Sequence, residues 1–162
     1  MLVLAFVCAL LCHGILSYPT GAPEVACQNM TPQHGDPPAE PQPEPSPYWA
    51  EITAKEERIF DFTIYGDETN NIEGFMIQAR DRSTSQLLGT FDAIENEVKL
   101  INCLGGTGNC ATHPSALVNI TSVTVTWNAA ESDPLDNINF VYTVVKEGNE
   151  FWVNQIAPLV IP

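Results

Sequence analysis

The stretch Ser122-Val123-Thr124-Val125-Thr126-Trp127 decides the fold, because apolar and hydroxylated side chains alternate along it without a break. A period of two places every second side chain on the same face of a β-strand. The apolar residues of the stretch would then face a core, and the hydroxylated residues would face solvent. The stretch therefore predicts a strand in a sheet that is buried on one face.

Four further segments show the same pattern on either side of this stretch. The alternating runs are Phe60-Asp61-Phe62-Thr63-Ile64, residues 75–80, residues 138–144 and Phe151-Trp152-Val153. Turn-forming residues cluster between them at 66–71, 104–109, 132–134 and 147–149. Several short strands separated by turn signals are typical of an antiparallel sandwich. We therefore predict an all-β fold, an antiparallel β-sandwich, whose core contains the aromatic residues Phe60, Phe62, Trp127, Phe140 and Trp152.

The amino-terminal residues have the features of an export signal. Residues 2–12 are uncharged and apolar, which is the length of a signal-peptide core and short of the roughly 20 residues of a membrane span. Small Ser17 precedes a turn-prone stretch that starts at Tyr18. We predict a signal peptide over 1–17, cleavage between Ser17 and Tyr18, and a secreted, extracellular protein with no membrane span.

The mature chain divides into a proline-rich part and a strand-rich part. Proline recurs through 37–47, where it fixes φ and removes backbone donors, so neither a helix nor a central strand is expected. We predict an extended, polyproline-like arm over 18–50 and a strand-rich core over 51–162. Together they have the length of one domain.

The charge of the chain excludes several classes of partner. Its 162 residues include 6 Lys and Arg against 20 Asp and Glu, for a formal net charge of -14. Such a surface repels nucleic acid and anionic lipid. It also lacks the cationic amphipathic face of a lytic peptide.

Three cysteines remain after the predicted signal, namely Cys27, Cys103 and Cys110. In an oxidising compartment two of them should pair, and three pairings are available. A Cys27–Cys103 bond would close a long loop and contribute at most about 4–5 kcal/mol in the loop-entropy model, which favours this pairing. A Cys103–Cys110 bond, which would staple only the turn between them, stays open as an alternative.

Two N-glycosylation sequons occur, Asn29-Met30-Thr31 and Asn119-Ile120-Thr121. Neither has proline in the middle position, so both asparagines are candidate acceptors in a secreted protein. Asn29 lies in the predicted arm, and Asn119 lies where a strand is predicted to open.

Residue patterns that carry catalysis or hold metals are missing from the sequence. His34 and His113 stand far apart and outside any zinc-type cluster. No Gly-x-Ser-x-Gly nucleophile turn and no Gly-rich phosphate loop occurs. The acidic stretches 67–71 and 133–136 lack EF-hand spacing, and we interpret them as solvated turns. We predict a protein that is not an enzyme and has no catalytic residues, cofactor or metal site.

Short pieces along nearly the whole mature chain nevertheless resemble one family. The pieces are Ala26-Cys27, Met30-Thr31-Pro32, His34-Gly35, Gly74-Phe75-Met76-Ile77-Gln78-Ala79-Arg80, Gly89-Thr90-Phe91, Cys103, Thr112-His113, Val125-Thr126-Trp127-Asn128-Ala129 and Phe151-Trp152-Val153. In order and spacing they resemble the reeler (reelin-domain) family, especially its small secreted insect-type defence proteins.

The resemblance implies a fold, a disulfide and a role in innate immunity. The fold would be an immunoglobulin-like antiparallel β-sandwich with a disulfide between Cys27 and Cys103. The role would be defence by binding microbial surface glycans or lipids, with antibacterial or antifungal action and aggregation of haemocytes. Cys110 is additional to the family's pair, so we expect either a monomer with a free thiol or a Cys110-linked dimer. A structural or adhesive component of extracellular matrix or secretory fluid is the alternative hypothesis.

Overall fold

The computed structural model describes residues 20–32 and 38–161 of the chain. In this part it contains nine strands: β1 (Trp49–Glu56), β2 (Ile59–Tyr65), β3 (Gly74–Asp81), β4 (Thr90–Phe91), β5 (Lys99–Ile101), β6 (Cys110–Thr112), β7 (Ser122–Asn128), β8 (Ile138–Glu147) and β9 (Glu150–Pro158). Two short 3-10 helices, Glu24–Cys27 and Leu135–Asn137, accompany them.

The strands form two antiparallel sheets that face each other. The first sheet has the strand order β1-β2-β7-β4, and the second has the order β5-β6-β3-β8-β9. The predicted all-β sandwich is therefore confirmed, and each of the five alternating runs lies in a strand. Four strands were not predicted, namely β1, β4, β5 and β6, because β4 to β6 are very short and β1 is exposed along its second half.

The inward-facing apolar residues of β2 and β7 fill the core between the two sheets. The five aromatic residues predicted for the core are all buried, and Phe62, Trp127 and Phe140 are fully so. Phe140 of β8 stacks on Phe62 with 4.8 Å between ring centroids and meets Trp127 edge-on at 5.3 Å. Burying a side chain of this size contributes on the order of 1.5–3 kcal/mol, so these contacts between β2, β7 and β8 hold the two sheets together.

A second apolar cluster covers the outer face of the second sheet. Its buried members are Ala26, Cys27, Met30, Met76, Ile101, Cys103, Cys110 and Val141. The Thr143 hydroxyl of β8 donates to the Met30 carbonyl at 2.7 Å, which holds residues 20–32 against the sheet. For this reason β3 is buried on both faces along most of its length.

The proline-rich segment also packs against the sandwich. The backbone N–H of Gln42 donates to the Phe151 carbonyl at 2.8 Å, and the Trp152 indole donates to the Pro43 carbonyl at 3.3 Å. Gln155 donates to the Glu44 carboxylate. Residues 42–44 of the predicted arm thus lie along β9, whereas residues 20–32 lie on the outer face of the second sheet. The first strand begins at Trp49, ahead of the predicted boundary at 51.

Candidate functional site

An exposed aromatic pair stands at one end of the first sheet. Trp49 of β1 and Tyr65 of β2 are direct partners in the antiparallel register. Their rings stack with centroids 5.5 Å apart and an interplanar angle of 18°. Trp49 is 50 % exposed, whereas Trp127 and Trp152 are buried. A half-exposed indole supported by a second ring is a rigid contact surface.

The same face of the sheet continues as rows of hydroxyl and carboxylate side chains, which we call the hydroxyl face. Register places Trp49, Tyr65 and Ser122 in one row, Glu51, Thr63 and Thr124 in the next, and Thr53, Asp61 and Thr126 in the third. These nine side chains face outward because the residues between them in β2 and β7 point into the core. None of the nine is aliphatic.

Hydrogen bonds between neighbouring strands order this face. The Thr63 and Thr124 hydroxyls lie 2.9 Å apart, and the Thr126 hydroxyl donates to Asp61 at 2.7 Å. Lys55 pairs with the same Asp61 carboxylate at 3.3 Å. The face is therefore polar and ordered, and one of its two carboxylates is compensated by a cation.

Each of the six basic side chains, all of which lie in the described part of the chain, contacts an acceptor within the protein. Lys55 and Lys146 pair with Asp61 and Glu150. The other four cations donate to backbone carbonyls of loops and strand ends, and these are Arg58, Arg80, Arg82 and Lys99. Most acidic side chains thus lack a cationic partner, and the surface carries the negative charge that the sequence predicts.

A shallow cavity of about 460 Å³ opens between the edge strands β1 and β9, and we call it the seam cavity. Its lining residues are Tyr48, Trp49, Ala50, Ile52, Tyr142, Ile156, Ala157, Pro158 and Val160. Ile156 and Val160 are strongly exposed at its rim. Burial, and next the nearby Glu44 carboxylate, raises the pKa of Tyr142 to about 12, so this hydroxyl stays protonated. Trp49 belongs to both the seam cavity and the hydroxyl face.

The structure joins Cys27 and Cys103 in a disulfide that fastens the amino-terminal segment to the loop after β5. The Gln78 amide of β3 donates to the Cys27 carbonyl at 3.1 Å and lies 3.4 Å from the Cys103 sulfur. Arg80 donates to the same carbonyl and to Gln78, and burial lowers the pKa of its guanidinium. Gln78, Arg80 and the Cys27 carbonyl thus hydrogen-bond to one another beneath the amino-terminal segment.

Cys110 is a free thiol at the bottom of the same cluster. Among the described cysteines it alone forms no disulfide, and its side chain is fully buried. Burial raises the pKa of Cys110 to about 12, which leaves almost no thiolate at neutral pH. Because the Cys110 sulfur is buried, it could bond to a second molecule only if the cluster opened, and the choice between a monomer and a Cys110-linked dimer stays a prediction.

Both sequon asparagines lie on the surface. Asn29 is exposed, and its side-chain oxygen accepts the backbone N–H of Thr31 at 3.0 Å, which forms an Asx-turn. Asn119 is exposed in the loop before β7, with φ of 55°, and it precedes the strand that it was predicted to open. Both positions are thus open to an oligosaccharyltransferase, and glycosylation at Asn29 and Asn119 stays a prediction.

We expect the protein expressed in a eukaryotic secretory pathway to carry a glycan at each asparagine. Treatment with an N-glycosidase should then produce two mobility steps on a gel, and the variants Asn29→Gln and Asn119→Gln should each lose one step. An unmodified mass for the secreted wild-type protein would contradict both assignments.

Asp67 and His113, two of the acidic and histidine residues considered in the sequence, have structural roles. The Asp67 carboxylate accepts hydrogen bonds from Thr69 and Asn70, and these bonds hold its pKa at about 2. The His113 ring lies buried against Gly74 and accepts the backbone N–H of Phe75 at 3.1 Å, so it ties the loop after β6 to β3. Within residues 20–32 and 38–161, no group of three His, Cys, Asp or Glu side chains could hold a metal ion.

Some predicted features lie outside the described residues, namely the signal peptide 1–17, the cleavage position at Ser17 and Tyr18, and His34. In the described part of the chain, no helix has both the length and the apolar character needed to cross a membrane.

Comparison with known proteins identifies the family. The model of the Reeler domain matches residues 25–161, which is most of the chain. This chain belongs to the reeler family. Solved reeler domains share its fold, since the human F-spondin reeler domain superposes with a TM-score of 0.58 over 75 % of this chain and 90 % of that one, at 14 % identity.

The names of two insect relatives contain the word defense. The chain is 34 % identical to Putative defense protein 3 of Antheraea mylitta, over 85 % of this chain and 82 % of that protein. It is 32 % identical to Defense protein l(2)34Fc of Drosophila melanogaster, over 97 % of this chain and 94 % of that protein. Both relatives match along most of their own length and along most of this chain.

A longer relative shares only this domain. The chain is 31 % identical over 93 % of its length to Putative ferric-chelate reductase 1 of Danio rerio, but it spans only 26 % of that protein. The activity in that name belongs to the longer protein, and the match does not assign it to the reeler domain.

Sequence reasoning missed the hydroxyl face and the exposure of Trp49. The polar halves of the alternating strands β2 and β7 were visible, but a single strand does not disclose which polar residues stand side by side. The Trp49–Tyr65 stack depends on the β1–β2 register, and β1 was not predicted.

Proposed function

We propose that this reeler domain is a secreted defence protein that binds microbial surfaces without catalysis. The two insect relatives named as defence proteins support the defence role, because they match along most of both chains. The observation that carries the binding role is the half-exposed Trp49, stacked on Tyr65 where the hydroxyl face meets the seam cavity.

Charge determines how such binding would work. With a net charge of -14, the protein gains nothing from long-range attraction to anionic envelopes. Ring stacking, hydroxyl hydrogen bonds and apolar contact do not need positive charge. Microbial glycans or the apolar part of microbial lipids are therefore the partners that this surface fits, and antimicrobial action or haemocyte aggregation would follow from that binding.

Secretion is supported by the disulfide, by the amino-terminal sequence and by the two exposed sequons. The Cys27–Cys103 disulfide belongs to an oxidising compartment, and the amino-terminal residues have signal-peptide character. Both sequon asparagines are exposed, as glycan acceptors must be.

The test is retention of the purified mature protein on live bacteria, on fungal cells and on uncharged beads. We expect selective retention on cells, and Trp49→Ala should weaken it about tenfold or more, because an aromatic anchor typically contributes about 2 kcal/mol. Leu104→Ala is the matched control, since Leu104 is 69 % exposed in the β5–β6 turn of the other sheet. Retention should persist at high salt and without calcium.

Two results would contradict the proposal or part of it. No retention on any cell type would contradict the proposal and favour a structural or adhesive extracellular role. Equal losses for Trp49→Ala and Leu104→Ala would remove Trp49 from the binding surface.

A further inference from the structure

We infer that the hydroxyl face of the first sheet is a binding platform for an uncharged polysaccharide. This inference rests on the proposed function, since it names the ligand class and the surface through which the protein would contact a microbe. It follows from the arrangement, chemistry and charge of the nine outward side chains.

The arrangement suits an extended polymer. Three rows of side chains cross β1, β2 and β7, and successive rows are two residues apart along each strand. Rows are therefore separated by about 6.8 Å along the strands, and neighbouring strands by about 4.8 Å. The resulting surface of roughly 14 by 10 Å is a sheet face and not a pocket, so it accommodates several consecutive sugar rings lying flat.

The chemistry of the face matches the chemistry of sugars. A sugar ring has apolar C–H faces and a rim of hydroxyl groups, and Trp49 and Tyr65 offer the aromatic surface on which such a face can stack. Each threonine or serine hydroxyl both donates and accepts hydrogen bonds, and the exposed Glu51 carboxylate accepts them. An apolar protein partner fits poorly, because the centre of a protein interface is depleted in such charged and polar residues.

The charge of the face selects against anionic polymers. Lys55, which borders the third row, is already engaged by Asp61 and Thr126, so no free cation is available to an anionic polysaccharide. Asp61 is compensated by this lysine, whereas Glu51 and the exposed Asp92, which lies beside Thr126 at the end of β4, have no ion-pair partner among the described residues. The face therefore repels anionic chains.

The face is also ordered before any ligand arrives. The Thr63–Thr124 contact at 2.9 Å and the Thr126–Asp61 hydrogen bond at 2.7 Å join side chains across β2 and β7. Side chains that are already held in place lose less conformational entropy on binding, which favours recognition by many weak contacts.

The experiment is affinity electrophoresis of the purified full mature protein in gels containing soluble β-glucan, mannan or chitin oligosaccharides, together with carboxymethylated β-glucan. We expect retardation by at least one uncharged polymer and a much weaker effect of the carboxymethylated form. Trp49→Ala should weaken the binding about tenfold or more. The double variant Thr63→Val and Thr124→Val, which keeps side-chain shape and β-propensity, should weaken it about threefold to tenfold.

Thr107→Val is the matched control, because Thr107 is an exposed threonine in the β5–β6 turn, away from the face. Its binding should equal that of the wild-type protein, and thermal unfolding of every variant checks that the fold is intact. Retardation that Trp49→Ala and the double threonine variant leave unchanged would overturn the assignment of the face.

The two experiments together distinguish failure of this inference from failure of the proposed function. If no uncharged polymer retards the protein while microbial cells still retain it, the platform is wrong and the seam cavity becomes the candidate contact. If β-glucan and carboxymethylated β-glucan bind equally, the selection for uncharged chains is wrong. Retardation together with no retention on cells would support the platform and contradict microbial recognition.

Discussion

Replacing Cys27 and Cys103 together with alanine is expected to lower the free energy of unfolding by about 4 kcal/mol. Their disulfide spans a sequence separation of 76 residues, and closing a loop of that size restricts the unfolded chain by about 4–5 kcal/mol in the entropic model. In the folded protein the bond also fastens Ala26 and Met30 over the second sheet. Urea unfolding under non-reducing conditions, with the yield of secreted protein as a second readout, measures the effect.

The control for this variant is Cys110→Ala. Cys110 is buried in the same cluster but has no disulfide to lose, so its replacement should cost about 1 kcal/mol. Alanine is preferred to serine at these positions, because a hydroxyl buried there without a partner would add its own penalty. A reductant should bring the wild-type protein to the stability of the double variant and leave that variant unchanged. Equal losses in the Cys110 variant and the double variant would contradict the assigned pairing.

Trp127→Ala is expected to lower the free energy of unfolding by about 3–5 kcal/mol. The Trp127 side chain is fully buried at the centre of the core, where it contacts Phe60 of β2 and Phe140 of β8. Its indole N–H donates to the Leu88 carbonyl at 3.1 Å, so the replacement creates a cavity and also leaves a carbonyl without its donor. Denaturant unfolding followed by far-UV circular dichroism measures the loss.

Trp49→Ala is the matched control, since it removes the same side chain from β1, the edge strand of the same sheet. Trp49 is 50 % exposed, and its ring rests mainly on Tyr65, so the expected loss is below about 1 kcal/mol. Comparing the two variants distinguishes the roles of the two tryptophans. Trp127→Ala should lower stability, and Trp49→Ala should weaken binding. A large loss of stability for Trp49→Ala would show that this indole is part of the core.

The strands that sequence analysis predicted are the ones with strict alternation. In β2 every second residue is buried, and in β7 Val125 and Trp127 are buried and Val123 is half-buried. The pattern alone predicts both strands and the face that each turns to the core. The short strands β4, β5 and β6 have at most three residues each, too few for a period to show. Their pairing depends on the longer strands beside them.

The candidate site, like the short strands, could not be predicted from local sequence. Glu51, Thr63 and Thr124 are far apart in sequence, and each is an ordinary polar residue within its own strand. They form one row because β1 pairs with β2 and β2 pairs with β7 in a particular register. No local signal contains that register, because it arises from the packing of the apolar residues on the opposite face.

The sequence by itself determined the fold class, the net charge, the aromatic residues of the core and the membership in a family that the comparisons then showed. The first three follow from composition and local periodicity, whereas the family membership follows from the resemblance of short pieces spread along the chain. The tertiary structure alone decided that Cys110 is buried, that the proline-rich segment lies along β9, and that Trp49 is half exposed beside the rows of hydroxyls. Each of these facts depends on contacts between residues distant in sequence, and such contacts exist only once the two sheets have packed.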